Sequence, residues 1–403
     1  MKINTLLLAG ALLCSNAFAW DIKKNVLVEE NLDIIKLKNK TLYLDVGIGS
    51  GAFHYKGDAK NIFYTITDRG PNIKCKDSKK LMGEELCKKG KIFPTPNFAP
   101  TIYKIALYKN WYKILKEIQI KDKSGVQVSG ISNKGTENAY DLNGKELAFD
   151  SHGLDAEAIV RLSDGTFWIA EEYGASILHI DSDGKILKRV VPAGFAKNLE
   201  GANYDISESL PSIISKRKLN RGIESLGISS DEKTLYFSMQ SPLSNPDVKA
   251  YKKSANVRIF KYDIANDKVI DEYVYQMDKA QTFSLDNSQK QNAVKISELV
   301  VTADDELIIL ERLTKTTKFY KVKLKDSILG TPWDDENTSP SLEQSNDFTK
   351  YVTKELVLDT STLKDMPKKI EGIAYIDENH WILVNDNDFG INKDKTSLIE
   401  IKK

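Results

Sequence analysis

Short apolar runs separated by polar turns recur along the chain, and five stretches share one layout. Each has a small or acidic start, an apolar strand, a polar turn and a second apolar strand, and most close on Asp or Glu. The stretches are Gly49–Gly70, Asp155–Gly174, Gly222–Gln240, Ile296–Leu313 and Ile370–Gly390. Repetition on this scale is the mark of a propeller or a solenoid. Two further apolar segments follow most of them: Ile102–Leu107 and Trp111–Ile120, Ile177–Asp181 and Ile186–Val191, Val257–Asp263 and Val269–Tyr275, Lys318–Leu324 and Glu355–Leu358. Asp183-Gly184 reads as a hairpin turn within the second set. The last unit has only Ser397–Ile401 behind it, so a strand from Val26–Leu37 is expected to complete it and remove an open edge.

Four strands per unit are the make-up of a propeller blade. The expected fold is all-β: a single β-propeller of four-stranded antiparallel blades, five by count. Six is left open, because Lys121–Ser151 is long enough to hide an irregular sheet. The long intervals Pro71–Pro100, Lys121–Ser151, Pro192–Asn220, Met277–Lys295 and Gly330–Thr353 read as loops, with a short helix within Leu210–Leu219. No internal boundary stands out, so one domain over residues 20–403 is expected.

Residues 1–19 read as a secretory leader: Lys2, an apolar run from Leu6 to Leu13, and Ala17-Phe18-Ala19 as a small-x-small cleavage site. A periplasmic or secreted protein beginning near Trp20 is expected. No other run has the roughly 20 apolar residues of a membrane helix. Charge is balanced, 58 basic against 57 acidic residues, which gives no electrostatic footprint for nucleic acid or anionic lipid. The expected partner is a small molecule, and the expected state is monomeric. Cys75 and Cys87 remain once Cys14 leaves with the leader; twelve positions apart in a polar stretch, they read as a disulfide stapling a loop.

Common catalytic signatures are missing: there is no GxSxG, no HExxH and no Walker loop. The four histidines have no ligand spacing, and His179 reads as a packed or edge residue. Trp168 and Trp381 occupy equivalent second-strand positions and read as packing. What remains is carboxylates. Glu157, Glu224 and Glu371 open first strands, with Glu298 in a similar place; Asp68, Glu171, Glu172, Glu311, Asp386 and Asp388 close second strands. Antiparallel neighbours bring both sets to one end of the sheets. Carboxylates brought together repel unless a cation neutralises them, and an oxygen-rich set without Cys or His suits Ca²⁺, or Mg²⁺. The expected metal ligands are Asp68, Glu157, Glu171, Glu224, Glu311, Glu371 and Asp386. Arg69, Arg221 and Arg312 lie within four residues of these acids. They could pair with them, or hold a phosphate and stabilise negative charge during a reaction. Asn385–Gly390 (NDNDFG) lacks the closing residues of an EF-hand but could form an oxygen-ligand loop.

In order along the chain, TDRGP (Thr67–Pro71), DAEAI (Asp155–Ile159), EEYG (Glu171–Gly174), NRGIESL (Asn220–Leu226), ISEL (Ile296–Leu299), LER (Leu310–Arg312), EGIAY and NDNDFG resemble the phytase-like family described as "esterase-like activity of phytase". The resemblance runs from about Val46 to Lys403. It implies a secreted protein that hydrolyses phosphate or other esters. Two departures stand out: Ser225 where a Gly often follows the unit's Glu, and Gln240 in place of an acid. The leading expectation is a metal-dependent phosphoester hydrolase acting at the channel mouth. The alternative is a non-catalytic propeller that binds a ligand or protein there.

Overall fold

β-branched and aromatic residues fill both strands of every repeat, and each repeat becomes the inner half of one antiparallel sheet. The computed structural model describes residues 19–403; the leader and Cys14 lie outside the described residues. Sheet I contains Gly51–Phe53, Ile62–Ile66, Thr101–Leu107 and Tyr112–Gln119. Sheet II contains Ala156–Arg161, Phe167–Glu171, Ser176–Ile180 and Ile186–Pro192, with Asp205–Leu210 added in parallel as a fifth strand. Sheet III contains Ile223–Ile228, Thr234–Met239, Asn256–Asp263 and Lys268–Gln276. Sheet IV contains Lys295–Ala303, Glu306–Arg312, Thr317–Lys323 and Thr353–Asp359. Sheet V contains Ile370–Asp377, His380–Asn385 and Thr396–Lys402, and its outer strand is Asp21–Val28.

That outer strand pairs with Thr396–Lys402 from Asp21↔Lys402 to Val28↔Thr396. The N-terminal segment does complete the last sheet, but with Asp21–Val28 rather than Val26–Leu37. The rest of the expected segment forms a separate hairpin, Asn31–Lys36 with Thr41–Asp45. In Asp21–Val28 the residues alternate between exposed and more covered positions up to Val26 and Val28, as an edge strand covering one face should.

Each sheet packs face-on against the next. Tyr64, Ile66 and Ile102 of sheet I meet Phe167, Ile169 and Leu178 of sheet II. A larger cluster joins sheets II, III and IV through Trp168, Leu226, Phe237, Leu299 and Ile309. Leu310 and Phe319 of sheet IV meet Trp381 and Ile399 of sheet V, and Val384 and Leu398 of sheet V meet Phe63 and Ile105 of sheet I. The first strands of the sheets lie side by side in the order I, II, III, IV, V, and that of sheet V lies against that of sheet I. Trp168 and Trp381 are both buried; Trp168 stacks on His179, whose Nε2 is 3.0 Å from the Thr166 hydroxyl.

The long intervals are not all loop. Ile73–Lys74, Lys91–Ile92, Ala139–Tyr140 and Glu146–Leu147 make a small four-stranded sheet, built from Pro71–Pro100 and Lys121–Ser151 together. Its two-residue strands are unlike those of the five large sheets, and it stands apart from them as a cap. Cys75 and Cys87 are bonded, with Cα atoms 5.1 Å apart, and brace the short helix Ser78–Met82 against it. Met82, Ile73 and Ile92 pack on Leu42 of the Asn31–Asp45 hairpin. The expected helix in Leu210–Leu219 is one 3₁₀ segment, Ser212–Lys216.

Candidate functional site

The first strands of sheets II to V carry an irregularity at one equivalent place. Pairing skips one residue between Ala156 and Ala158, between Ile223 and Ser225, between Ile296 and Glu298, and between Ile370 and Gly372. The skipped residues are Glu157, Glu224, Ser297 and Glu371. A bulge leaves its extra residue out of the ladder and re-aims its side chain. Glu157, Glu224 and Glu371 line one cavity of about 510 Å³ at this end of the sheets. Ser297 is the equivalent residue in sheet IV. Glu298, one position on, lies deeper, where it accepts hydrogen bonds from the N–H groups of Ala52 and Leu299.

The second strands end at the same mouth, where side-chain alternation decides which residue faces in. Glu172, Arg312 and Asp386 line the cavity. Glu171 and Glu311, each one residue earlier, are fully buried among other partners. Glu171 accepts from the Tyr173 and Gly174 N–H groups and from Arg189 at 2.6 Å. Glu311 accepts from the Tyr275 hydroxyl at 2.6 Å and from Lys354 at 3.3 Å. Neither lines the cavity, so of the seven acids expected as ligands the structure brings together Asp68, Glu157, Glu224, Glu371 and Asp386. Arg69, Arg221 and Arg312 line it as well.

Acids and bases alternate around the cavity. Arg69 meets Asp155 at 2.6 Å, Glu172 at 3.2 Å and Glu137 at 3.0 Å. Ser297 donates to Glu224 at 3.0 Å and accepts from Arg312 at 2.9 Å, and Arg312 pairs with Glu371. Lys369 holds Asp386 at 3.0 Å and also pairs with Asp388, inside the NDNDFG turn. Arg221 bonds the Tyr251 hydroxyl and the Asn220 carbonyl and has no ion pair among the described residues. Lys295, the cross-strand partner of Arg312, lines the same side, likewise without an ion pair among the described residues.

Burial sets the protonation states. It raises Asp68, together with repulsion from Asp386, to about 7, and it raises Glu371 to about 8 against the pull of Arg312. It lifts Glu157 well above the carboxylate range, with Asp155 and Glu224 adding repulsion. Burial also drives Asp155 well up despite Arg69, whereas for Glu172 the pull of Arg69, Arg221 and Lys295 outweighs burial and lowers it. Burial opposes ionisation of Asp386 too, but Lys369 and the Asp388 N–H hold it at about 2. Burial lowers Lys295 and takes Lys91 down to about 8.

Asp155, Glu157 and Glu172 are the tightest cluster, each offering an oxygen within 4.8 Å of the others. Sequence reasoning places Asp155 only within a motif and does not single out Lys295 or Lys369. A signal for them exists: Asp155, Lys295 and Lys369 each stand two residues before a bulged position.

This chain belongs to the phytase-like family described as esterase-like activity of phytase, whose profile matches residues 48–389. It is similar to an uncharacterized secreted protein of Arthroderma benhamiae, 34% identical over 137 residues, which is 30% of this chain and 26% of that protein. The match thus spans about a quarter of that relative's length. Among solved structures it is similar to the PQQ-bound aldose sugar dehydrogenase of Streptomyces coelicolor (9% identity, 95% of this chain and 98% of that one, TM-score 0.34) and to a luciferin-regenerating enzyme (9% identity, 88% and 91%, TM-score 0.37). No described helix is long and apolar enough to cross a membrane.

Proposed function

We propose that the five large sheets are the blades of one propeller over residues 20–403, and that its acid-lined mouth is the centre of an exported, metal-dependent hydrolase of phosphoesters or related esters. The observation that carries this reading is one cavity that holds both a carboxylate cluster and unpaired cations. Glu157 and Glu172 line it with Asp155 buried beside them, and Arg221 and Lys295 line it without an ion pair among the described residues. A cation fits the carboxylate cluster. Glu172 Oε1 is buried with no hydrogen-bond partner, and of the three carboxyls Asp155 and Glu172 have an ion pair only with Arg69 while Glu157 has none among the described residues. The donors are hard oxygens, which suit Ca²⁺ or Mg²⁺.

A divalent cation held by Asp155, Glu157 and Glu172 would polarise a phosphoryl or carbonyl oxygen and acidify a bound water. The remaining work falls to this chain's own side chains. Arg221, Lys295 and Arg312 bind the anionic oxygens of the ester and oppose the charge that develops as it is attacked. Asp68, with a pKa near 7, can hold a proton at its carboxyl and pass it to the leaving oxygen. Glu371 and Ser297 fix the Arg312 guanidinium in place. Export rests on the reading of residues 1–19 and on the secreted relative.

The test is turnover of a chromogenic phosphomonoester and a chromogenic carboxylate ester by purified protein, with calcium, with magnesium and with chelator. Turnover that chelator abolishes and calcium or magnesium restores supports the proposal. No turnover of either ester under any of these conditions refutes it.

A further inference from the structure

A second cavity lies at the opposite end of the same inner strands. The acid-lined cavity takes the early residues of those strands, Glu157, Glu224 and Glu371. The second takes the far ends, among them Phe53, Arg161, Ile228, Val300 and Tyr375. Along sheet II, Glu157 and Arg161 stand about 13 Å apart at roughly 3.3 Å per residue. Between the two cavities the strands close on one another. A Cβ on Gly51 would stand 2.7 Å from the Glu157 carbonyl oxygen, and one on Gly372 would stand 2.9 Å from the Ala52 nitrogen. The carboxyl of Glu298 fills this waist, 1% exposed, bonded to Ala52 N–H at 3.4 Å and Leu299 N–H at 3.1 Å. The two cavities are separate compartments.

The second cavity encloses about 240 Å³ and is mostly apolar, with the rings of Phe53, Tyr55 and Tyr375 in its wall. Several of its other polar groups are engaged. Lys56 donates to the Ser230 carbonyl at 3.2 Å, and His54 Nδ1 bonds the Ile62 carbonyl at 2.7 Å. Glu232 accepts from Ser163 N–H at 3.0 Å, and the Thr302 hydroxyl donates to the Glu306 carbonyl at 3.2 Å. Arg161 is not among them. Its guanidinium lies 4.3 Å from the centroid of the Tyr55 ring, and its Nη1 is buried without a hydrogen-bond partner. It forms no ion pair among the described residues; Asp164 senses it only at longer range.

A cation beside apolar walls with no counter-ion carries an uncompensated desolvation cost. A guanidinium matches a carboxylate through two parallel N–H···O bonds. We propose that this cavity binds a small organic acid, its carboxylate on Arg161 and its apolar body against Phe53, Tyr55 and Tyr375. Arg161 and Lys56 are the cavity's two cations and Glu232 is its one carboxylate, and this single excess of positive charge suits a singly charged carboxylate better than a doubly charged phosphate. Because the waist divides the compartments, this site stands or falls independently of the hydrolase reading.

Calorimetric titration with benzoate and hexanoate, and with benzamide as the neutral control, tests it. Saturable binding of at least one acid is expected, at least tenfold tighter than benzamide. Arg161→Gln should abolish it, and Arg161→Lys, which keeps the charge but loses the fork, should weaken it about tenfold. Glu157→Gln, at the other mouth, should leave it unchanged. No saturable binding of either acid to the wild-type protein overturns the proposal. So does equal binding of benzamide, or full affinity in Arg161→Gln; should that variant fail to fold, full affinity in Arg161→Lys decides against it.

Discussion

Replacing Glu157 with Gln should separate two roles that a buried acid can have. Glu157 is 7% exposed, sits on a bulge, has no ion pair among the described residues, and is pushed well above the carboxylate range by burial and by Asp155 and Glu224. Burial and the neighbouring carboxylates already disfavour its charged form, so without a cation an amide of the same size should change stability by no more than about 0.5 kcal/mol. With a cation, one of three protein ligands is lost. At one hundred times Kd a bound cation adds about 2.7 kcal/mol. A ten- to hundredfold weaker Kd at the same concentration leaves about 1.4 to 0.4 kcal/mol. An unfolding entropy of roughly 2.1 cal/mol/K per residue makes each kcal/mol worth about 1.2 °C in a chain this long. Scanning calorimetry should therefore show a calcium-dependent rise in Tm of about 3 °C for the wild type and under 2 °C for the variant, from equal starting points in chelator. A full 3 °C rise in the variant would refute Glu157 as a ligand. A large loss of Tm in chelator would show that its carboxylate is structural instead.

Three further outcomes are expected. In chelator, Tm should fall as pH rises from about 4 to 8: Asp68 and Glu371 are held near 7 and 8 when folded but titrate near 4 when unfolded, so the folded state binds more protons over that window, and its advantage is gone above it. A Tm that rises steadily between pH 5 and 8 would contradict this. Arg312→Met should cost about 1–3 kcal/mol in denaturant unfolding by leaving the buried Glu371 carboxyl and Ser297 hydroxyl without their partner; a cost under about 0.5 kcal/mol would mean the contact is dispensable. Glu298→Ala should cost about 2–4 kcal/mol by opening a void and orphaning the Ala52 and Leu299 N–H groups, again read from denaturant unfolding, and a neutral result would show that the waist does not need a plug.

Most of the five large sheets was legible because each is nearly continuous in sequence. Their strands are 3–9 residues long and apolar, with turns between, so the pattern for each sheet lies within one interval of chain. The exception is sheet V, whose last strand comes from Asp21–Val28; its need could be inferred from a missing partner, but its register could not. The cap was illegible for the opposite reason. Its four strands are two residues each and come from segments as far apart as Ile73 and Leu147, too short for any periodicity to show. What holds it is non-local: the Cys75–Cys87 bond, which the cysteine spacing did announce, and the packing of Met82 and Ile92 on Leu42.

The site divides along the same line. Glu157, Glu224 and Glu371 could be grouped from sequence because the bulge recurs at the same step of each repeat, so equivalent positions share one direction. At the second-strand ends the same argument fails by one residue. Glu171-Glu172 and Glu311-Arg312 are adjacent polar pairs, and a strand sends adjacent side chains to opposite faces; sequence shows that one of each pair turns inward without showing which. The structure sends Glu172 and Arg312 into the cavity and leaves Glu171 on Arg189 and Glu311 on Lys354. The expected ring of acids thereby becomes a ring in which acids and bases alternate. The inward residue of sheet II adds a carboxylate beside Asp155 and Glu157, while that of sheet IV adds a guanidinium beside Arg221 and Lys295. Five copies of one repeat would give a symmetric mouth that could only concentrate negative charge. Arg312 in place of an acid, and Lys295 and Lys369 in the place that Asp155 holds on sheet II, break that symmetry; on the proposed reading, Lys295 and Arg221, which have no ion pair among the described residues, are where a substrate anion would bind.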